Sequence, residues 1–186
     1  MNNPSALVIA HNTQGQTRFF TGDLAGAWEH LARAIGCFNA PDYQATPSSL
    51  GMNRVAVLSF AAGTTLLMGR FDTSLRFLDD MLGLAQQLKN PFPLVYARMF
   101  ASMVYVQRRE PQRALEEADE AGQLGRNSGF PLQAAVCRIM AGWAQAKLGQ
   151  SVQGLEQMRQ AQAIVATMGY RLLVTSHLCW LSEGAG

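Results

Sequence analysis

The sequence predicts an all-α protein built as an array of antiparallel helix pairs, and three observations predict it. Small residues recur at Gly15, Ala62, Ser102, Gly142 and Ser182, at intervals of 47, 40, 40 and 40. Seven residues after each of the first four stands a turn residue (Gly22, Gly69, Arg109, Gly149), and five further on a second small residue (Ala27, Ser74, Ala114, Gly154). Between these marks the apolar residues follow i, i+3, i+4 spacing, with no alternating stretch of the kind a strand needs. Self-similarity at a fixed period of this size marks a stacked repeat, in which each unit buries its apolar face only against its neighbours.

Each element can be justified in turn. The first repeat, 5–38, reads as helices over 5–20 and 24–38. Thr21-Gly22-Asp23 supplies the turn, and Asp23 the N-cap whose carboxylate accepts from unpaired backbone N–H groups. The second repeat, 51–89, divides at Gly69 into helices over 51–68 and 72–89, with Asp72 as the expected cap. In the third, 92–127, helices over 92–108 and 111–127 meet at a break where Pro111 takes the first helical position, its missing N–H harmless there. The fourth, 131–167, breaks near Ser151 into 131–148 and 151–167, and a partial fifth, 170–183, lacks its second helix. Asn90-Pro91-Phe92-Pro93, Ser128-Gly129-Phe130-Pro131 and Met168-Gly169 punctuate the boundaries between repeats. The segment from Asn39 to Ser49 holds Pro41 and Pro47, accounts for the longer first interval, and is expected to be a solvated spacer.

The small residues have a steric role. Gly, Ala or Ser where the two helices of a pair cross lets the backbones approach, and larger apolar side chains fill the space around the crossing. Phe19, Trp28 and Leu31 do this in the first pair, Leu75 and Leu78 in the second, Leu155 and Met158 in the fourth.

Composition bounds the function. At 186 residues the chain suits a single domain spanning 1–186. Charged residues are 15%, below the roughly 25% usual for globular proteins. Apolar residues reach 48%, which leaves apolar surface for a partner. A net charge of +2 with scattered basic residues argues against nucleic acid and membrane as partners. Glu116, Glu117, Asp119 and Glu120 read as a solvated helix face. The start MNNPSALVIAHN has no basic segment ahead of an apolar run, and no stretch approaches a membrane span. Cys37, Cys137 and Cys179 are widely separated, as expected of free core thiols in a reducing cytoplasm.

The pattern of small residue, Gly after seven and Ala after five, on paired helices, resembles the tetratricopeptide repeat (TPR), whose usual period of about 34 residues is lengthened here to 40. The stretches AHNTQGQTRFFTGDLAGAWEHLARAI (10–35) and GFPLQAAVCRIMAGWAQAKLGQSVQGLEQMRQA (129–161) are similar to the TPR-like C-terminal regions of bacterial multidomain signalling proteins. In those proteins a P-loop ATPase core is joined to a cyclase, a kinase or a transcriptional regulator. The chain itself has no G-x-x-x-x-G-K-[ST] loop and no cyclase or kinase signature. The resemblance implies a right-handed superhelix of about four pairs plus a terminal helix. It also implies a non-catalytic scaffold for protein–protein contact, cytoplasmic and part of a bacterial signalling or regulatory system. A small-molecule-sensing module is the alternative, and would be favoured by a polar pocket around Asn12, Gln16, Ser59 and Arg98.

In TPR proteins the first helix of each pair lines a concave surface. Carried onto this sequence, those positions are Ile9, Asn12, Gln16 and Phe20, then Ala56, Ser59, Gly63 and Leu67. They continue as Tyr96, Met99, Met103 and Gln107, then Val136, Ile139, Trp143 and Lys147. The expected recognition groove is Asn12, Gln16, Phe20, Tyr96, Met99, Met103, Ile139, Trp143 and Lys147, with its large polarizable side chains in the second half of the chain. The places of a two-carboxylate clamp hold Asn12, Gln16, Phe60, Tyr96 and Phe100, all neutral, so capture of a chaperone C-terminus is not expected.

Catalysis, metals and cofactors are not expected either. His11, His30 and His177 lie on three different helices, and His177 and Cys179 are poorly spaced for joint ligation. Asp79 and Asp80 read as solvated. The final helix, with Leu172, Leu173, Leu178, Trp180 and Leu181, carries more apolar residues than one narrow stripe can bury. Self-association through Leu178, Trp180 and Leu181, as a homodimer, is therefore expected.

Overall fold

The turn residues decide where each helix folds back. In the computed structural model, which describes residues 4–39, 49–171 and 174–184, Gly22, Gly69, Arg109 and Gly149 all take a positive φ. After each of them the next N–H donates to the carbonyl five residues earlier. Asp23 reaches Arg18 at 2.9 Å, Arg70 reaches Thr65 at 2.8 Å, Glu110 reaches Tyr105 at 3.0 Å and Gln150 reaches Gln145 at 2.9 Å. This closure satisfies carbonyls that a helix end leaves unpaired. Arg109, at φ 61°, holds the turn with a side chain, at a cost of about 1–2 kcal/mol relative to glycine.

The described residues are helical with no strand, and the helices are α1 (Pro4–Phe20), α2 (Leu24–Gly36), α3 (Ser49–Leu67), α4 (Phe71–Gln87), α5 (Pro91–Gln107), α6 (Pro111–Asn127), α7 (Pro131–Lys147), α8 (Ser151–Thr167) and α9 (Val174–Gly184). A 3-10 turn, Cys37–Asn39, follows α2. Asp23 caps α2 by accepting from the Gly26 N–H at 2.9 Å. Asp72 differs from expectation: α4 begins one residue before it, with Arg70 at the cap. Asp72 therefore lies in the first turn, where a carboxylate still complements the helix dipole. The last helix begins at Val174 rather than at 170; Leu172 and Leu173, and most of the expected spacer (40–48), lie outside the described residues.

The chain divides into two compact units, Met1–Pro93 and Leu94–Gly186. In the first, α1 and α2 cross at Gly15, where an added Cβ would sit 2.7 Å from Leu31 Cγ. The α3–α4 crossing lies at Ala62, whose carbonyl accepts from Ser74 Oγ at 2.8 Å. Leu31, Val55, Val57, Leu78 and Met81 are fully buried around these crossings, and Trp28 of α2 meets Phe77 of α4 with ring centroids 5.9 Å apart.

The second unit repeats the arrangement with the donor exchanged. Ser102 Oγ of α5 donates to the Ala114 carbonyl of α6 at 2.8 Å. The α7–α8 crossing is the tightest: a Cβ on Gly142 would stand 2.6 Å from the Gly154 carbonyl oxygen. α9 packs on α7 and α8. All four crossings fall where the small-residue ladder predicts them.

Candidate protein-binding surface

Along the first-helix face, the outermost expected groove position is exposed in every repeat (Phe20, Leu67, Gln107, Lys147), and the position eight residues earlier is buried in every one (Asn12, Ser59, Met99, Ile139). In the first unit α1 buries only Val8, Asn12 and Gly15, while α3 buries its groove positions Ala56 and Ser59. Two of the four expected groove positions on α1 are open. Ile9 is 48% exposed and Phe20 42%, Gln16 is half-buried, and Leu67, the α3 equivalent of Phe20, is 50% exposed. Phe20 is held by edge-on contacts with Phe19 and Phe60, at centroid separations of 5.5 and 5.7 Å. Asn12 departs from expectation, since it is buried and its Oδ1 has no hydrogen-bond partner among the described residues.

In the second unit the expected apolar recognition surface is core. Met99, Met103, Ile139 and Trp143 are all buried, the last two almost completely. The cause is visible in α7, PLQAAVCRIMAGWAQAK, which is buried along nearly its whole length. A helix apolar on all sides belongs in a core rather than on a face. Tyr96 is half-buried against Phe100, with ring centroids 4.7 Å apart, and burial pushes its phenol above the ordinary tyrosine range. Lys147 is exposed.

The terminal helix helps close the α7 positions. Glu183 of α9 accepts from Arg109 Nη2 at 2.8 Å and from Arg109 Nη1, and from Trp143 Nε1 at 3.3 Å. Lys147 Nζ donates to the Glu183 carbonyl. Hydrogen bonds from Arg109 chiefly hold the Glu183 carboxyl below the usual glutamate range. The turn residue that replaces glycine thus supplies the guanidinium that clips α9 in place.

Trp180, expected at a self-association surface, is instead 7% exposed and packs on His177 at 5.5 Å. Leu181 is half-buried, which leaves Leu178, 55% exposed, as the open member of that trio. His177 is fully buried, its Nδ1 3.1 Å from Gln162 Oε1, and burial lowers it to about 4.

A register relation missed in the sequence explains the polar contacts between paired helices. The residue four before each crossing on the first helix meets the residue three after it on the second. His11 Nδ1 and His30 Nδ1 meet at 3.0 Å, Arg98 Nη1 donates to Glu117 Oε2 at 2.7 Å, and Gln157 Nε2 donates to the Arg138 carbonyl at 3.2 Å. Burial first, then the charges of His30 and Arg33, lowers the His11 pKa. Arg98 also pairs with Glu120 at 2.7 Å.

Two of the residues expected around a polar pocket are engaged locally. Ser59 Oγ donates to the Val55 carbonyl at 2.7 Å, and Arg98 is neutralised by its two carboxylates. Among the cysteines only Cys137 is core, its thiol pushed up to about 12 by burial. Cys37 is half-buried and Cys179 exposed, against the expectation of three core thiols.

Among the described residues no three His, Cys, Asp or Glu side chains gather as a metal site. Nor is any described helix long and apolar enough to cross a membrane. A cavity of about 520 Å³ opens in the first unit between α2, α3 and α4.

No family model matches the chain, and no curated protein does. Solved structures do match. The chain is similar to a kinesin-light-chain-like protein of Podosopora anserina with nearly identical TPR-like repeats: 17% identity, TM-score 0.68, over 99% of this chain and 87% of that one. A glutamine-to-methionine variant of that protein matches at 16% identity with the same TM-score and coverage. At this identity the likeness shows the fold, an all-α TPR-like repeat.

Proposed function

We propose that this chain is a non-catalytic scaffold that binds another protein through the first-helix face of its first unit. TPR-like repeats generally serve protein–protein interaction, and one observation carries the reading here: Ile9, Phe20 and Leu67 stand exposed at the positions that line the groove in such repeats. Apolar anchors of this kind supply most of the affinity of an interface, while the polar residues around them exclude water. A bacterial signalling or regulatory setting in the cytoplasm is the context the sequence resemblance supports. Incorporating a photoreactive phenylalanine analogue at Phe20 and irradiating in source cells tests the reading. A discrete crosslinked protein is expected, lost when Leu67→Glu is added; crosslinks spread over many proteins and insensitive to Leu67→Glu would overturn it.

A second reading, a small-molecule-sensing module, is supported by the cavity between α2, α3 and α4, whose volume falls within the roughly 300–1,000 Å³ usual for ligand sites.

A further inference from the structure

The cavity of the first unit has an apolar wall and, among the described residues, unpaired charges of both signs. Ile35, Phe38, Leu58, Phe77 and Leu84 form the wall, and Arg54, Asp79 and Asp80 share the lining. Leu58 and Phe77 occupy the same register places, four before and three after the crossing, that hold polar pairs in the other three repeats. Here the second repeat places two apolar side chains, and they leave the gap without a polar bridge.

Arg54 is fixed with its guanidinium carbon 4.9 Å from the centroid of Phe38. Its Nε is buried with no hydrogen-bond partner, and among the described residues no carboxylate pairs with it. A buried N–H without an acceptor is a departure that native structures rarely leave unfilled. Asp79 and Asp80 are exposed, adjacent on α4, and likewise in no ion pair among the described residues.

We propose that this cavity binds a short apolar peptide with free ends, its carboxylate on Arg54 and its ammonium at Asp79 and Asp80. The assignment rests on the small-molecule reading and names its ligand class. Arg54 lines the cavity with no carboxylate partner among the described residues, and a planar guanidinium matches a carboxylate. Two neighbouring carboxylates repel a polyanion such as a nucleotide and attract an ammonium group. The five apolar side chains of the wall suit two apolar side chains between those ends.

Gly83 makes the test clean. It lines the cavity, and a Cβ built there meets nothing within 4 Å. Gly83→Leu therefore adds an apolar side chain at the cavity lining from a Cβ in open space, and raises helix propensity. The probe is leucyl-leucine, titrated calorimetrically beside its N-acetyl and C-amide derivatives. Saturable binding of the free dipeptide is expected, weakened at least tenfold by either end-blocking group and by Gly83→Leu. The variant should keep wild-type helicity and Tm. In Arg54→Met the preference for free dipeptide over C-amide should vanish. Equal binding of the N-acetyl or C-amide form would overturn the ligand class while leaving a small-molecule site standing. Unchanged affinity in a folded Gly83→Leu would overturn the site, and absence of saturable binding by all three probes would overturn both.

Discussion

α1 of the first unit and α7 of the second carry the same repeat register and use it differently. On α1 the groove positions Ile9 and Phe20 face solvent; on α7 Val136, Ile139 and Trp143 are core. What differs is the rest of each helix. α1 intersperses Asn12, Thr13, Gln14, Gln16 and Thr17 among its apolar residues, so that a few exposed apolar groups are framed by polar ones. α7 offers only Gln133, Arg138, Gln145 and Lys147 as polar side chains, and most of the helix is buried. A repeat position thus predicts which way a side chain points. The composition of the whole helix decides whether that direction leads to water or to another element.

The largest effect should come from removing an expected groove residue that is core. Trp143→Ala empties a fully buried site and breaks the bond to Glu183, and should cost about 3–5 kcal/mol in urea unfolding. Loss of less than about 1 kcal/mol would mean that Trp143 is a surface residue after all.

The helix crossings sharpen the same contrast. Gly142→Ala drives a methyl against the Gly154 carbonyl, which belongs to backbone and cannot rotate away, so a loss of about 1–3 kcal/mol is expected. Gly15→Ala meets the Leu31 side chain, which can adjust, and should cost less. Equal losses in the two variants would contradict the difference in packing.

Acid should act on the end of the second unit. His177 is neutral in the fold, with its pKa lowered to about 4 by burial, whereas an unfolded histidine titrates near 6.5. Between those values the unfolded state binds more protons, so stability falls as pH drops from about 6.5 to about 4 and flattens below. Proton NMR of the His177 ring should show a midpoint near 4; a midpoint at or above 6.5 would mean that the ring is hydrated.

The smallest effect is expected at the open face. Leu67→Ser removes an exposed side chain and should change stability by no more than about 0.5 kcal/mol. A urea midpoint shifted as far as in Gly142→Ala would mean that Leu67 is packed rather than open.

Much of this was legible in the chain. Gly22, Gly69, Arg109 and Gly149 mark the four reversals, and the ladder from Gly15 to Gly142 marks the four crossings. The pairing of His11 with His30 and of Arg98 with Glu117 follows from that ladder once residues are counted outward from each crossing on antiparallel helices. Burial of Trp143 was partly legible too, because α7 lacks a polar face. Its contact with Glu183 was not, since a guanidinium from Arg109, 74 residues away in sequence, fixes that carboxylate. The cavity was hidden for a similar reason: three helices leave it open, and no motif in any of them announces a gap.

The central claim is that α1 leaves Ile9 and Phe20 open at its groove positions, whereas α5 and α7 bury Met99, Met103, Ile139 and Trp143. Carbene footprinting of the native chain, read residue by residue by mass spectrometry, tests it most directly. Strong labelling at Ile9, Phe20 and Leu67 is predicted, with protection of Met99, Met103, Ile139 and Trp143 until denaturant is added. Labelling of Met103 and Trp143 in the native chain to the extent seen at Phe20 would contradict it.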